Sequence, residues 1–335
     1  MPGDDEVEAA EWLAPRVEGM IPGVQVLRLG RLAGGNSSLT YVADVRRGTV
    51  SATVVVKTIP KGLTAVRNRD IVRQGTLMAA LHAHGLEVPE VIAIDPGDPP
   101  ESPPVMVTAF VEGDSFDPTS PNAAQESAPS AAETAARALA AMGLLARIQH
   151  ATATELGIDA GAERSLSDEL AHWSRAFGTT SYAEDPIVTR TRALLESTIP
   201  AGGSRVLVHG DYRLGNMLCT GASIRAVIDW EIWSLGDPRL DLAWFVARSC
   251  ATHPSHPEED ALPAPDALLA AYAQEGGQGA EELAWFMSLS AFKHAAASAL
   301  IDKRRSSHRE PRASRVPDLL RWSLEQAEEA RSQTR

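Results

Sequence analysis

Residues 205–231 read RVLVHGDYRLGNMLCTGASIRAVIDWE, and the order of that run decides how the rest of the chain is read. It alternates like a hairpin around Thr220-Gly221, and its polar residues fall where strands end. The loop after its first apolar strand presents His209, Gly210, Asp211 and Arg213, and Asn216 follows five residues after Asp211. The second strand ends in Ile228-Asp229-Trp230-Glu231, with Asp229 thirteen residues beyond Asn216. A polar hairpin whose Asp and Asn only cap turns is the plainer alternative. The length of the string, its spacing and its flanking strands weigh against it.

Upstream, Val24 to Ile59 runs strand, turn, strand, strand, and its β-branched runs broken by Gly predict an antiparallel meander. Ala65 to His84 spaces Ile71, Leu77, Met78 and Leu81 at a helical period and stops at Gly85. VPEVIAID and PPVMVTAFVEG supply two more strands, the second ending at Glu112-Gly113. Asp117 to Ser130 is rich in Pro, Ser and Ala and reads as a loop. Beyond it the chain is mainly helical around the embedded hairpin. A small β-rich unit ahead of a larger helical unit predicts two lobes.

With 31 Lys and Arg against 44 Asp and Glu, the net charge of -13 has the wrong sign for a protein that works by releasing counterions from phosphates. No nucleic-acid partner is expected. The longest apolar run, Ala138 to Ala146, falls well short of the ~20 residues that cross a bilayer, so no membrane partner is expected either. The opening MPGDDEVEAAEW lacks the positive region and apolar core of a secretory signal, which predicts a cytoplasmic protein. The two cysteines, Cys219 and Cys250, show neither metal-ligand spacing nor a disulfide framework.

The chemistry in residues 209–229 has a specific form. One Asp placed to accept the proton of an attacking hydroxyl, with an Asn and a second Asp as hard oxygen ligands for magnesium, is the layout of kinase-type phosphoryl transfer. The Gly34-Gly35 turn brings backbone N–H groups toward phosphate oxygens, with Asn36, Ser37 and Ser38 as added donors, although a plain hairpin turn is the alternative. Lys57 stands in the apolar strand Val54-Val55-Val56-Lys57-Thr58-Ile59, where an ammonium costs desolvation unless it meets an anion. Trp230, Trp233 and Trp244 read as core or pocket wall. Lys303, Arg304, Arg305, Arg309, Arg312 and Arg315 form a basic segment, read either as a loop between helices or as a phosphate-binding rim for a CoA-like substrate.

The string His209-Gly210-Asp211-Tyr212-Arg213-Leu214-Gly215-Asn216 resembles the aminoglycoside phosphotransferase and choline kinase superfamily, and the resemblance covers nearly the whole chain from about residue 20. Three features look most like the kinase-like domains related to those fused to acyl-CoA dehydrogenases. They are Gly34-Gly35-Asn36-Ser37-Ser38-Leu39-Thr40-Tyr41, Lys57 with Pro60 and Gly62, and Asp229-Trp230-Glu231. The resemblance implies an α+β, two-lobed protein-kinase-like fold with a small antiparallel-sheet N-lobe and a larger, mainly helical C-lobe. Residues 1–19 would be an N-terminal helical extension, 20–112 the nucleotide-binding N-lobe and 113–335 the C-lobe.

It further implies ATP and Mg²⁺ as cofactors and a small-molecule hydroxyl as acceptor. The favoured acceptor is a hydroxyacyl-CoA or similar alcohol; an aminoglycoside, or nucleotide binding with little turnover, are the alternatives. The catalytic residues would be Asp211 as the base, His209 orienting the loop, and Arg213. Asn216 and Asp229 would hold the metal. Residues Gly34 to Ser38 and Lys57 would hold the phosphates, and the backbone from Ala109 to Val111 the adenine. Gln74 stands where the family's helix carries a glutamate for the lysine, so Lys57 is expected to be held less firmly, with Asp70 one turn earlier able to take over. Asp241, in Gly236-Asp237-Pro238-Arg239-Leu240-Asp241, would brace the catalytic loop.

Overall fold

The computed structural model describes residues 4–32, 38–119, 128–158, 163–256, 262–305 and 314–333. These divide into two compact units. One holds the described residues up to Asp114 together with Met217–Thr220 and Ile224–Trp233, and the other holds those of Ser115–Asn216, Gly221–Ser223 and Ser234–Arg335.

In the first unit, β1 (Val24–Arg31), β2 (Leu39–Arg47), β3 (Val50–Thr58), β4 (Val91–Asp95) and β5 (Val105–Ala109) form one sheet in the order β1-β2-β3-β5-β4. Every neighbouring pair is antiparallel, as the strand-turn-strand pattern predicts. The β-branched run makes β3 the central strand, with Lys57 opposite Thr40 on β2 and Met106 on β5. β5 stops at Ala109, short of the expected Glu112-Gly113.

Helix α1 (Asp4–Met20) is part of this unit's core rather than an extension of it. Leu13 and Val17 are wholly buried against Tyr41, Val45, Val56 and Val107 of the sheet. Helix α2 (Ile71–Ala83) starts later than its periodicity suggests, because the Asp70 carboxylate accepts the Arg73 N–H at 2.9 Å and caps it there. Gly75 lets α2 lie close to the sheet, since a Cβ on it would fall 2.7 Å from Ile94 Cδ1 and 2.9 Å from Met106 Sδ.

A single cut at residue 112 does not describe the units. The hairpin β7 (Met217–Thr220) and β8 (Ser223–Val227) is tied by backbone bonds to earlier residues, Cys219 to Asp114 and the Val227 N–H to the Glu87 carbonyl at 2.7 Å. Those bonds carry Asp229 into the first unit, with Lys57.

The second unit packs α3 (Ala131–His150), α4 (Leu166–Phe177), α5 (Pro186–Ser197), α6 (Arg239–Val246), α7 (Pro265–Gln274), α8 (Leu283–Arg305) and α9 (Val316–Gln333). Trp285, Phe286, Leu289, Phe292, Ala295 and Ala299 make α8 apolar over most of its surface, so it is buried against α4, α5, α6 and α9. A short antiparallel ladder joins β6 (Val206–Val208) to β9 (Ser234–Gly236), with Val208 opposite Ser234. This ladder sets the loop that follows β6 beside the start of α6, the arrangement on which the site depends. None of the described helices is long and apolar enough to cross a membrane.

Candidate active site

In the second unit, the loop leaving β6 is held from below by one carboxylate. Asp241, 1% exposed, accepts the His209 N–H on Oδ2 at 2.6 Å and the Gly210 N–H on Oδ1 at 2.9 Å. Burial pushes its carboxyl above the usual range, against the opposing pull of His209 and these two donors. Gly210 turns the chain with φ +86°, the left-handed region that a side chain disfavours. The buried His209 ring accepts the Asp211 N–H on Nδ1 at 3.2 Å, which gives His209 an orienting role. Lys293 on α8 donates to the Gly210 carbonyl.

The Asp211 side chain is then fixed by three neighbours. Arg213 Nε donates to both oxygens at 3.2 and 3.1 Å, Trp244 Nε1 to Oδ1 at 3.0 Å, and Asn216 Nδ2 to Oδ2 at 2.9 Å. Asn216 Nδ2 also donates to the Asp211 backbone carbonyl at 2.9 Å. With its amide N–H groups so engaged, Asn216 Oδ1 is left as an acceptor, the hard oxygen that magnesium takes. Arg213 also donates to Asp117 at 2.8 Å. Burial works against its charge, but Asp211 and Asp117 outweigh that and raise its pKa further.

The first unit carries the other cluster. Lys57 Nζ donates to Gln74 Oε1 at 3.1 Å and to Asp229 Oδ1 at 3.0 Å. Asp229 adopts φ 67° and ψ 49°, a conformation that Asp tolerates better than most residues, and its carboxylate remains 41% exposed. The segment after it is braced by Arg73, which donates to the Trp233 carbonyl at 2.9 Å and stacks 3.7 Å above the Trp233 ring. An exposed carboxylate beside an ammonium suits a magnesium-bound phosphate group. Ser38 is buried at the start of β2, whereas Gly34, Gly35, Asn36 and Ser37 lie outside the described residues. The Ala109 N–H donates to the Glu90 carbonyl at 2.9 Å, so an adenine contact in this stretch falls to the Ala109 carbonyl and to Val111.

Gln74 does not leave Lys57 without a charge partner, because Asp229 supplies one. Asp70 is occupied in capping α2. Gln74 is 1% exposed and its Nε2 donates to the Asn68 carbonyl at 3.2 Å, a bond that a glutamate would replace with two facing acceptors. Gln74→Glu is therefore expected to lower stability by ~1–3 kcal/mol and to leave nucleotide affinity no better. A denaturant melt beside an ATP titration checks this, and tighter ATP binding at unchanged stability would refute it.

A model of the phosphotransferase enzyme family matches residues 28–286, a span that contains Lys57, Gln74, Asp211, Asn216, Asp229 and Asp241. The chain belongs to that family. It is 26% identical over 288 residues to human acyl-CoA dehydrogenase family member 11, covering 80% of this chain and 35% of that protein. It is also 26% identical over 215 residues to mouse acyl-CoA dehydrogenase family member 10, covering 63% and 19%. The phosphotransferase chain thus spans about a third or less of these relatives' length.

Among solved structures, a candidate aminoglycoside phosphotransferase from Ralstonia eutropha JMP134 superposes with TM-score 0.74 at 19% identity, over 98% of each chain. A ternary complex of aminoglycoside phosphotransferase APH(4)-Ia with AMP-PNP and hygromycin B gives 0.61 at 15% identity, again over 98% of each. Macrolide 2'-phosphotransferase from Brachybacterium faecium gives 0.58 at 18% identity, over 96% of this chain and 97% of that one. The fold is the α+β, protein-kinase-like one expected from the sequence.

Sequence reasoning left the phosphotransferase's Trp244 as core or pocket wall, and did not single out Asp117, Arg248 or Lys293. Trp244 bonds Asp211 directly, and Arg248 and Lys293 lie 4.0 and 4.6 Å from its ring. The available sequence cue was position, since Trp244 follows Asp241 by three residues and so lies close to its face of α6.

Two histidines near this cluster predict a pH dependence. Burial, then the Arg248 charge, pushes His253 down to about 3 and holds His294 well below the ordinary histidine range. The unfolded chain takes up these protons near pH 6.5 while the native chain does not, so stability is full above that pH and falls as pH drops toward 3. Each histidine contributes a slope of up to ~1.4 kcal/mol per pH unit. Urea midpoints should fall from pH 7.5 to 5, less steeply in His253→Gln; equal slopes in the two proteins would remove His253 from the account.

Proposed function

We propose that the chain is an ATP- and magnesium-dependent phosphotransferase that places the γ-phosphate on a hydroxyl of a small molecule, with a hydroxyacyl-CoA or similar acyl-derived alcohol as the favoured acceptor. The observation that carries the phosphotransfer reading is the Asp211 carboxylate, oriented by Arg213, Trp244 and Asn216 on a loop clamped by Asp241. Bound ATP would supply the phosphoryl group, and magnesium would neutralise its charge. Asp211 takes the proton of the acceptor hydroxyl as its oxygen bonds to the γ-phosphorus and the bond to the β-phosphate oxygen breaks. Lys57 would hold phosphate oxygens, and Asp229 and the Asn216 side-chain carbonyl would be the ligands for magnesium. Catalysis then comes from positioning and charge neutralisation.

The acyl-derived acceptor is supported by the acyl-CoA dehydrogenase family relatives, one of which covers 80% of the chain. The antibiotic alternative is supported by the hygromycin B complex of a structural neighbour. Of the basic segment, the described residues include Arg304 and Arg315, while Arg309 and Arg312 lie outside them. The test is a magnesium-ATP phosphorylation screen over hydroxyacyl-CoAs, aminoglycosides, choline-like amines and sugars. The reading expects a hydroxyacyl-CoA product. It also expects magnesium-ATP affinity to fall at least about tenfold in Asp229→Ala, as the loss of a charged contact implies. Turnover of an aminoglycoside alone would replace the acceptor, and none on any acceptor would leave a nucleotide-binding protein.

A further inference from the structure

Within the second unit, α6 runs on into a short turn, Ala247–Ser249, that buries a cation out of ion-pair contact with its nearest carboxylates. Arg248 is 6% exposed, lies 4.0 Å from the Trp244 ring and gives one N–H to the Trp244 carbonyl at 2.5 Å. A guanidinium has five N–H donors, and it keeps its charge at neutral pH even where burial lowers its pKa, as here. Asp117 and Asp211 lie within its field, but both bond to Arg213 instead, at 2.8 and 3.1 Å. Arg248 forms no ion pair with any described residue.

Asp117 and Asp211 offset its charge only from beyond contact, so an anion that arrives from outside the chain can take the N–H groups they leave. Arg248 lines a small pocket, partly open to solvent, together with Arg213, Pro118, Leu214, Phe245 and Leu262. Its wall is apolar apart from these cations and the Asp117–Thr119 edge. Arg315 Nη1 adds positive charge at that edge, 3.5 Å from the Thr119 carbonyl. His253 and His294 stay neutral and leave the guanidinium as the fixed charge.

We propose that this pocket binds an oxyanion, carboxylate or phosphoryl, carried by the molecule whose hydroxyl is phosphorylated, with Arg248 as its direct partner. The inference deepens the reading above and rests on it for the identity of the bound molecule as the acceptor. Arg213 lines the pocket and also bonds Asp211, so one guanidinium links the anion site to the base. A polycationic acceptor meets the wrong charge here.

The test is calorimetric titration of the full chain, without nucleotide, with 3-hydroxybutyrate, inorganic phosphate and, as a neutral control, 1,3-butanediol. Saturable binding of an anion and none of the diol is expected, and the tighter anion identifies the source of the oxyanion. Binding should weaken at least about tenfold in Arg248→Met, as loss of a charge-assisted bond implies, and less in Arg248→Lys. The surface variant Arg192→Ala should bind as the parent does. Arg248→Met also removes a bond to the Trp244 carbonyl and a countercharge of Asp117, so a thermal melt beside the titration checks that the variant is folded, and Arg248→Lys keeps the charge. No saturable anion binding, or unchanged binding in Arg248→Met, would overturn the proposal. None of these readouts involves turnover, so a failure here leaves the phosphorylation screen standing, and a failed screen leaves the anion site standing.

Discussion

Asp211→Asn should cut phosphoryl transfer by ~10² to 10⁴-fold, the usual contribution of a positioned general base, while ATP affinity changes little. The acceptor hydroxyl loses its proton acceptor, whereas Lys57, Gln74 and Asp229 make their bonds among themselves. The amide is not a silent replacement, however. Both carboxylate oxygens accept N–H groups, from Trp244 and Arg213 on Oδ1 and from Arg213 and Asn216 on Oδ2, so an asparagine NH₂ must face a donor whichever way it turns. A local cost of ~1–3 kcal/mol should accompany the rate loss. Single-turnover kinetics beside a thermal melt separates the two effects. A variant that kept most of its transfer rate on a verified acceptor would show that Asp211 is not the base.

The asymmetry between what the sequence revealed and what it concealed has a physical basis. Strands announce themselves through local β-branched runs, so the antiparallel sheet and the placing of Lys57 on a central strand were legible. Asp211, Asn216 and Asp229 stood out because one short stretch carries them all. The partners were less visible where they come from distant sequence. Asp117 reaches Arg213 across 96 positions and Lys293 reaches Gly210 across 83, and nothing local to either residue encodes that meeting. The partner expected for Lys57 was misplaced for the same reason: helix spacing offered Asp70 as the substitute, but the segment after the β7–β8 hairpin supplies Asp229 to Lys57 from 172 residues away. The start of α2 moved because Asp70 spends its carboxylate on the Arg73 N–H, a local competition that apolar periodicity does not register.

The second large effect is expected at Asp241, which touches no reacting atom. Asp241→Ala leaves the His209 and Gly210 N–H groups buried with their acceptor gone, and each such orphan costs ~1–3 kcal/mol. The sum, roughly 2–6 kcal/mol, is a large part of the ~5–15 kcal/mol that holds a typical domain together. Part of that cost can be relieved only if the loop moves, and a moved loop displaces Asp211 from Trp244 and Asn216. Stability and turnover should therefore fall together. Asp241→Asn keeps one oxygen for one of the two donors, so it should lie between Ala and the parent in both measurements. The ranking separates a positioning role from bulk packing, because Asn and Asp have nearly the same shape and a packing role would leave the Asn variant intact. If urea melts and kinetics put Asp241→Asn level with the parent, the clamp is not what holds the catalytic loop.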